Sequence, residues 1–173
     1  MARTLRVGLI GSGFMGRAHS NAWRQAPHFF PLKARVELHT ICSRDRAHVE
    51  AARAQLGWQL AATDWREVVE SPLVDIVDIC SSNDTHADIA IAAARAGKSV
   101  ICEKPLALNM DEAGKMLAAV RKAHVKNMVM FNYRRVPAVA FAQQMIESGQ
   151  LGEIRHFRAT YLQDWNADPK SPM

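Results

Sequence analysis

Short apolar runs alternate with longer helical segments over most of this chain. The predicted strands are Leu5–Ile10, Arg35–Cys42, Val74–Cys80, Lys98–Cys102 and Met128–Phe131. The predicted helices are Phe14–Gln25, Arg46–Leu56, Trp65–Glu70, Asp84–Ala96, Asp111–Ala123 and Val136–Ser148. Nearly continuous apolar runs are typical of parallel strands that are buried on both faces. The pattern therefore predicts an α/β protein with a doubly wound parallel sheet, and a ligand crevice at the carboxyl ends of the strands.

The pattern changes after Gly152. We assign residues 1–150 to the first domain, and residues 151–173 to the first strand and linker of a second α/β domain. The segment Ile154–Trp165 has a long, alternating character that is typical of a strand in a different sheet. No later run could pair with it, and an unpaired strand edge promotes aggregation. We therefore expect the chain to be a truncated form of a longer protein.

Composition excludes several classes of protein. Of the 173 residues, 49% are hydrophobic and 23% are charged, which are ordinary globular values and argue against disorder. No apolar run approaches the ~18 residues of a membrane-spanning helix. The net charge of +5 is scattered rather than clustered, which argues against nucleic-acid binding. The three cysteines form no CxxC pair, and no export signal is visible, so we expect reduced thiols in a cytoplasmic protein, without a metal site.

A glycine-rich segment, Gly11–Gly16 (GSGFMG), directly follows the first strand and opens the first helix. In this context the GxGxxG pattern predicts a dinucleotide site, whereas a purely structural turn is the alternative. Gly11 would permit the tight turn, Gly13 would let the pyrophosphate approach, and Gly16 would let helix and strand pack closely. The predicted cofactor contacts in this loop are Gly11, Ser12, Gly13, Phe14, Met15 and Gly16.

The end of the second strand bears on the choice between NAD and NADP. An NAD site usually has an acidic residue there, which binds the ribose hydroxyls. This chain has Ser43 and Arg44, and Asp45 comes a residue or two late. Arg44 could stack on adenine and pair with a 2′-phosphate, with Ser43 adding a hydrogen bond. We therefore predict NADP as the cofactor, with NAD as the alternative.

Two further strand ends carry polar residues. The segment Ser81–His86 (SSNDTH) follows the third predicted strand and starts a helix, so it should face the crevice. Glu103, Lys104 and Pro105 follow the next strand. A lysine beside a bound pyridinium would have its charged form disfavoured, whereas Glu103 would favour that form and fix its position. Lys104 is therefore a candidate proton donor, proton acceptor or hydrogen-bond anchor for an alcohol.

Taken together, the motifs resemble the Gfo/Idh/MocA oxidoreductases, the group of glucose-fructose oxidoreductase and inositol dehydrogenase. The resemblance rests on GSGFMGRAH at 11–19, SRD at 43–45, SSNDTHADIA at 81–90, CEKPLAL at 102–108, FNYRRVPA at 131–138 and LGEI at 151–154. It implies a nucleotide-binding Rossmann domain, followed by an α/β domain with a large, open and mainly antiparallel sheet. It also implies an NAD(P)-dependent oxidoreductase that acts on a sugar, cyclitol or related polyol.

The resemblance assigns roles to individual residues. Lys104 matches the family's catalytic lysine, and Pro105 often follows a cis bond there. Including the residues discussed above, the predicted cofactor contacts outside the glycine-rich loop are Ser43, Arg44, Ser81, Asn83, His86, Glu103, Lys104, Asn132 and Arg134. The predicted substrate contacts are Lys104, Tyr133 and Trp165.

One part of the family's machinery is missing from the sequence. The principal proton-transfer histidine lies in a DxxxH-type motif early in the second domain, and neither His124 nor His156 fits that motif. We therefore expect the chain to bind a dinucleotide with little or no turnover. The alternative is a non-catalytic dinucleotide sensor or regulatory module; a methyltransferase would leave the Glu103–Pro105 match unexplained. Homo-oligomers are possible in a full-length form.

Overall fold

The computed structural model describes residues 3–162 and residue 164. Its strands are β1 (Arg3–Ile10), β2 (Ala34–Cys42), β3 (Leu60–Ala62), β4 (Ile76–Ile79), β5 (Ser99–Cys102) and β6 (Asn127–Val129). Its helices are α1 (Phe14–Phe29), α2 (Arg46–Leu56), α3 (Trp65–Glu70), α4 (His86–Arg95), α5 (Met110–Ala123) and α6 (Pro137–Glu147). None of the described helices is long and apolar enough to cross a bilayer.

All six strands pair in parallel, in the order β3-β2-β1-β4-β5-β6. The chain adds strands in one direction from β1 to β3, and in the other direction from β4 to β6. The doubly wound Rossmann fold expected from the sequence is therefore confirmed. In such a sheet the loops after β1 and β4 diverge, which opens a crevice at the carboxyl ends of the strands.

The sheet is buried on both faces, as its nearly continuous apolar strands require. Val7 and Leu9 of β1 pack towards α2 with Val49 and Trp58. On the opposite face, strand residues such as Val77 pack in a cluster that includes residues of α3, α4 and α5. Side chains alternate across the pleat, so successive residues of β1 and of β4 pack against the helices on opposite faces of the sheet.

Side chains and glycines set the helix ends. Asp45 caps α2 by accepting a hydrogen bond from the His48 N–H at 2.7 Å. The helix ends at Leu56, and its C-cap Gly57 has a φ of 78°, in the left-handed region that glycine tolerates. Asp64 and Glu67 form a capping box at the start of α3. These local signals make the bounds of α2 and α3 agree with the sequence prediction.

Two predicted helix bounds need correction, and one strand is additional to the prediction. Helix α1 continues through Pro27 to Phe29 rather than ending at Gln25. Strand β3 was not predicted, because three residues are too few to show a period. The predicted helix from Asp84 is instead a 3-10 turn at Asn83–Thr85, followed by α4.

Contacts divide the chain after Phe131 into two units. Within the second unit a 3-10 turn spans Asn132–Arg135 and precedes α6. The predicted strand over Ile154–Trp165 is wrong for its described residues, 154–162 and 164, which form no strand. A strand needs a partner for its backbone hydrogen bonds, and no other strand lies among the described residues of this unit. The domain boundary near residue 150 stays a prediction.

Candidate functional site

The carboxyl ends of β1, β2 and β4 border a groove of about 490 Å³. Loops from both halves of the sheet line it. Its lining residues are Ile10, Gly11, Ser12, Gly13, Phe14, Met15, Cys42, Ser43, Arg44, Thr63, Trp65, Cys80, Ser81, Ser82, Asp84, Thr85 and Ile89. Most of the glycine-rich loop and three of the other predicted cofactor contacts therefore lie around one groove.

The glycine-rich loop is held by close backbone approaches. Gly11 has a φ of 102°, and its N–H donates to the Cys42 carbonyl at 2.8 Å. A Cβ at Gly11 would overlap the carbonyl of Cys80, and a Cβ at Gly16 would overlap the carbonyl oxygen of Gly11. A Cβ at Gly13, by contrast, would have no atom within 4 Å. The loop is thus packed tightly at both ends and open in the middle.

The open middle of the loop has the donors that a phosphate requires. Gly13 is the N-cap of α1 and has no side-chain cap, so the first N–H groups of the helix are left for another acceptor. The Ser12 hydroxyl is buried and has no hydrogen-bond partner among the described residues. An unpaired buried hydroxyl is costly, and a phosphate oxygen would supply its partner. These residues therefore fit the pyrophosphate of a dinucleotide.

The far end of the groove is formed by residues that follow β2 and β3. Ser43 and the exposed Arg44 follow β2, whereas Thr63 and the half-buried Trp65 follow β3. Asp45 is not among the lining residues, because its carboxylate caps α2. Sequence reasoning missed Thr63 and Trp65, since it did not recognise the strand that precedes them. Trp65 offers an aromatic face at this end of the groove.

The two predicted cofactor contacts after Ser81, Asn83 and His86, lie outside the groove lining. Asn83 belongs to the 3-10 turn, while its neighbours Asp84 and Thr85 line the groove. His86 is fully buried, with Nδ1 at 3.0 Å from the carbonyl oxygen of Pro105 and Nε2 at 3.2 Å from that of Ser81. The His86 ring therefore joins the loops after β4 and β5.

A buried polar network lies beneath the same edge of the sheet. Nδ1 of His19, on α1, lies 2.9 Å from Oδ1 of Asp78, and Nε2 lies 3.0 Å from Oε1 of Glu103. Trp23 Nε1 donates to the other Asp78 oxygen at 2.7 Å. Burial alone would lower the pKa of His19, but the hydrogen bonds and negative charges of Asp78 and Glu103 outweigh it and raise that pKa. Sequence reasoning missed this network, because its members are far apart along the chain.

Ligand atoms of His19, Asp78 and Cys80 lie within 4.8 Å of one another. Burial raises the pKa of the Cys80 thiol, and the negative charge of Asp78 raises it further. The imidazole nitrogens already face carboxylate oxygens. This arrangement favours a hydrogen-bond network over a metal centre.

Lys104 is exposed at the end of β5, and its backbone N–H donates to Oε2 of Glu103 at 3.0 Å. The Lys104–Pro105 peptide bond is cis. Lys104 and Glu103 do not line the groove. The predicted contacts Asn132, Tyr133 and Arg134 belong to the second unit, where the Tyr133 hydroxyl lies 3.0 Å from that of Tyr161. Trp165 lies outside the described residues.

Comparisons with known proteins agree with this architecture. A family model described as "Oxidoreductase family, NAD-binding Rossmann fold" matches residues 5–131. The chain is 48% identical over 172 residues to a levoglucosan dehydrogenase from Pseudarthrobacter phenanthrenivorans, covering 99% of this chain and 44% of that protein. It is 31% identical over 168 residues to a myo-inositol 2-dehydrogenase from Thermotoga maritima, covering 97% and 47%.

A solved structure of a levoglucosan dehydrogenase in complex with NADH superposes with a TM-score of 0.95 at 48% identity. The match covers 99% of this chain and 46% of that chain. The chain thus spans about half the length of the relatives it matches.

Proposed function

The chain belongs to the Gfo/Idh/MocA oxidoreductase family, and from this we propose that it is the dinucleotide-binding part of a dehydrogenase for a sugar, cyclitol or related polyol. The observation that carries the proposal is the glycine-rich loop, where the space above Gly13 lies beside the unpaired Ser12 hydroxyl. The names of the relatives, levoglucosan dehydrogenase and myo-inositol 2-dehydrogenase, supply the substrate class.

In this proposal the groove binds and orients the cofactor. The N–H groups at the start of α1 and the Ser12 hydroxyl hold the pyrophosphate. Arg44 and Trp65 flank the adenine end, because both line the groove beyond β2 and β3. The Ser81–Thr85 turn holds the opposite end. When bound, the nicotinamide supplies the hydride chemistry.

Lys104 is proposed to assist proton movement at the substrate hydroxyl. It stands at the carboxyl end of β5, and its backbone is held by Glu103. A lysine can donate or accept a proton there once a neighbouring charge changes the relative stability of its charged and neutral forms. The principal base would come from the part of a full-length dehydrogenase that this chain does not include.

The proposal must also specify which dinucleotide the groove binds, NAD(H) or NADP(H). We propose NAD(H), because a relative with 48% identity binds NADH. NADP(H), the choice made from the sequence, remains the second candidate, since Arg44 lines the groove and no carboxylate from the end of β2 does. A paired titration with NADH and NADPH decides between them. Tenfold tighter binding of NADPH, lost selectively on Arg44→Ala, would overturn the choice of NAD(H).

The binding proposal is tested by Gly13→Ala. A methyl group at Gly13 meets no protein atom but occupies the space assigned to the pyrophosphate. We expect NADH affinity to fall by about tenfold or more, equivalent to about 1.4 kcal/mol, with little change in the thermal midpoint. Energy transfer from tryptophan to NADH measures the binding.

The matched control is Gly114→Ala, an exposed glycine of α5 whose added Cβ also meets nothing within 4 Å. This control should bind NADH as the unaltered chain does. If Gly13→Ala binds NADH equally well, the proposed placement of the pyrophosphate is wrong.

A non-catalytic sensor is the second candidate function. It is favoured by the position of Lys104 and Glu103 outside the lining of the groove. Turnover of levoglucosan and inositol should be measured for this chain and for a chimera with the second half of the levoglucosan dehydrogenase. Activity that appears only in the chimera supports the dehydrogenase proposal, whereas a folded, NADH-binding chimera without turnover supports the sensor.

A further inference from the structure

The hydrogen-bond geometry around His19 favours a doubly protonated ring when Asp78 and Glu103 are both ionised. Nδ1 of the ring lies 2.9 Å and 3.0 Å from the two oxygens of Asp78, and Nε2 lies 3.0 Å from Oε1 of Glu103. A neutral imidazole has one N–H and one lone pair, so one carboxylate would face a lone pair. Only the imidazolium donates to both carboxylates at once.

Hydrogen bonds connect the buried Asp78, through His19 and Glu103, to the backbone of the exposed Lys104. Asp78 is fully buried and fixed by the indole N–H of Trp23 at 2.7 Å, so one side of the His19 ring is anchored. The other side holds Oε1 of Glu103, whose Oε2 accepts the Lys104 N–H at 3.0 Å. The Glu103 carboxylate therefore connects His19 to the Lys104 backbone.

We propose that His19 is a positioning residue, which as an imidazolium holds Glu103 and through it fixes the Lys104 backbone at the carboxyl edge of the sheet. The role in catalysis rests on the proposed function, in which Lys104 assists proton movement. The geometric part stands without it, because the hydrogen bonds join described residues of one unit.

The charges that face His19 explain why the proton matters. Among the described residues, two carboxylates face the ring, Asp78 from β4 and Glu103 after β5. The Cys80 thiol lies beside them, with Sγ at 3.7 Å from Oδ1 of Asp78. The imidazolium leaves the cluster with one net negative charge, whereas a neutral ring leaves two in a buried space. Loss of the proton should therefore release Glu103 from the ring, and the Lys104 backbone with it.

Nitrogen-15 NMR of the histidine rings in the unaltered chain tests the charge state. The His19 ring should carry N–H protons on both nitrogens at pH 7.5, above the ordinary histidine pKa of about 6.5. As the pH rises further, the Lys104 amide resonance should shift with the same midpoint as the His19 ring. A neutral His19 at pH 7.5, or a Lys104 amide that does not follow the ring, would overturn the proposal.

The variant His19→Gln tests the positioning role. Glutamine is uncharged and has a single amide nitrogen where histidine has two ring nitrogens. It should therefore hold Glu103 less firmly, and exchange protection of the Lys104 amide should fall by about tenfold or more. His39→Gln is the matched control, because His39 is also buried but bonds to the Thr40 hydroxyl outside the network. Equal protection of Lys104 in the two variants would contradict the proposal. If His19→Gln fails to fold, the titration of the unaltered chain still decides.

A kinetic measurement separates this inference from the proposed function. In the active chimera, His19→Gln should lower kcat for levoglucosan oxidation by about tenfold, while the KM for NAD+ stays within about twofold, since His19 does not line the groove. An unchanged kcat would overturn the role in catalysis. A chimera without turnover would count against the dehydrogenase proposal and that role alone, because the NMR results do not require turnover.

Discussion

Replacing Gly16 with alanine tests how closely α1 packs on the glycine-rich loop. The added Cβ would overlap the carbonyl oxygen of Gly11 and lie 3.3 Å from a methyl group of Leu9. Gly11 cannot move away easily, because its own N–H is bonded to Cys42 and its Cα faces the Cys80 carbonyl. The start of α1 must therefore shift.

The magnitude follows from two opposing effects. Overpacking of this kind costs about 1–3 kcal/mol, and a backbone neighbour places the cost at the upper end. Alanine recovers about 0.5–1 kcal/mol relative to glycine within a helix. We expect Gly16→Ala to lower the free energy of unfolding by about 1–2 kcal/mol. Gly114→Ala, which meets no atom within 4 Å, should raise it by about 0.5–1 kcal/mol.

Urea unfolding followed by circular dichroism measures both variants against the unaltered chain. The same substitution should move the transition midpoint in opposite directions at the two helical glycines, with similar slopes. If Gly16→Ala is as stable as Gly114→Ala, the close approach between α1 and the loop is wrong.

Two further predictions concern titratable groups. Because the pKa of His19 is raised in the folded state, its stabilising effect is fully present below about pH 6.5 and is lost as the pH rises through the folded value. The free energy of unfolding, measured in urea between pH 6 and 9, should therefore fall more steeply for the unaltered chain than for His19→Gln; parallel profiles would contradict this. Burial raises the pKa values of Cys42 and Cys102 to about 12 and also raises that of Cys80. Iodoacetamide at pH 8 should modify none of these thiols in the folded chain and all three in urea, and rapid labelling of the folded chain would show that they are accessible.

Local signals made some elements predictable from the sequence. Helix α3 agrees with its prediction residue for residue, because Asp64 caps its start and Pro72 follows its end. The glycine-rich loop was also recognisable, since it lies between an apolar run and a helix. Both features depend on residues that are neighbours in the chain.

Features that depend on tertiary contacts were not predictable. The end of α1 was missed for a separate, local reason. The helix continues past Pro27 to Phe29, because a proline near the last turn removes few of its backbone hydrogen bonds. The contact of His19 with Asp78 spans 59 positions, and that with Glu103 spans 84. No periodicity or spacing rule connects such residues, because the sheet order brings them together. The position of Trp65 in the groove was missed for a similar reason, since it depends on how β3 pairs.

The groove is lined by loops from both halves of the sheet, which meet along the pairing of β1 with β4. A ligand bound there contacts residues of both halves, so separating them would break its contacts. By mass action, a free ligand at 100 times its Kd adds about 2.7 kcal/mol to the free energy of unfolding. Cleavage that proceeds through the unfolded state slows in the same proportion. The lifetime of this domain in the presence of a protease should therefore follow the concentration of its cofactor.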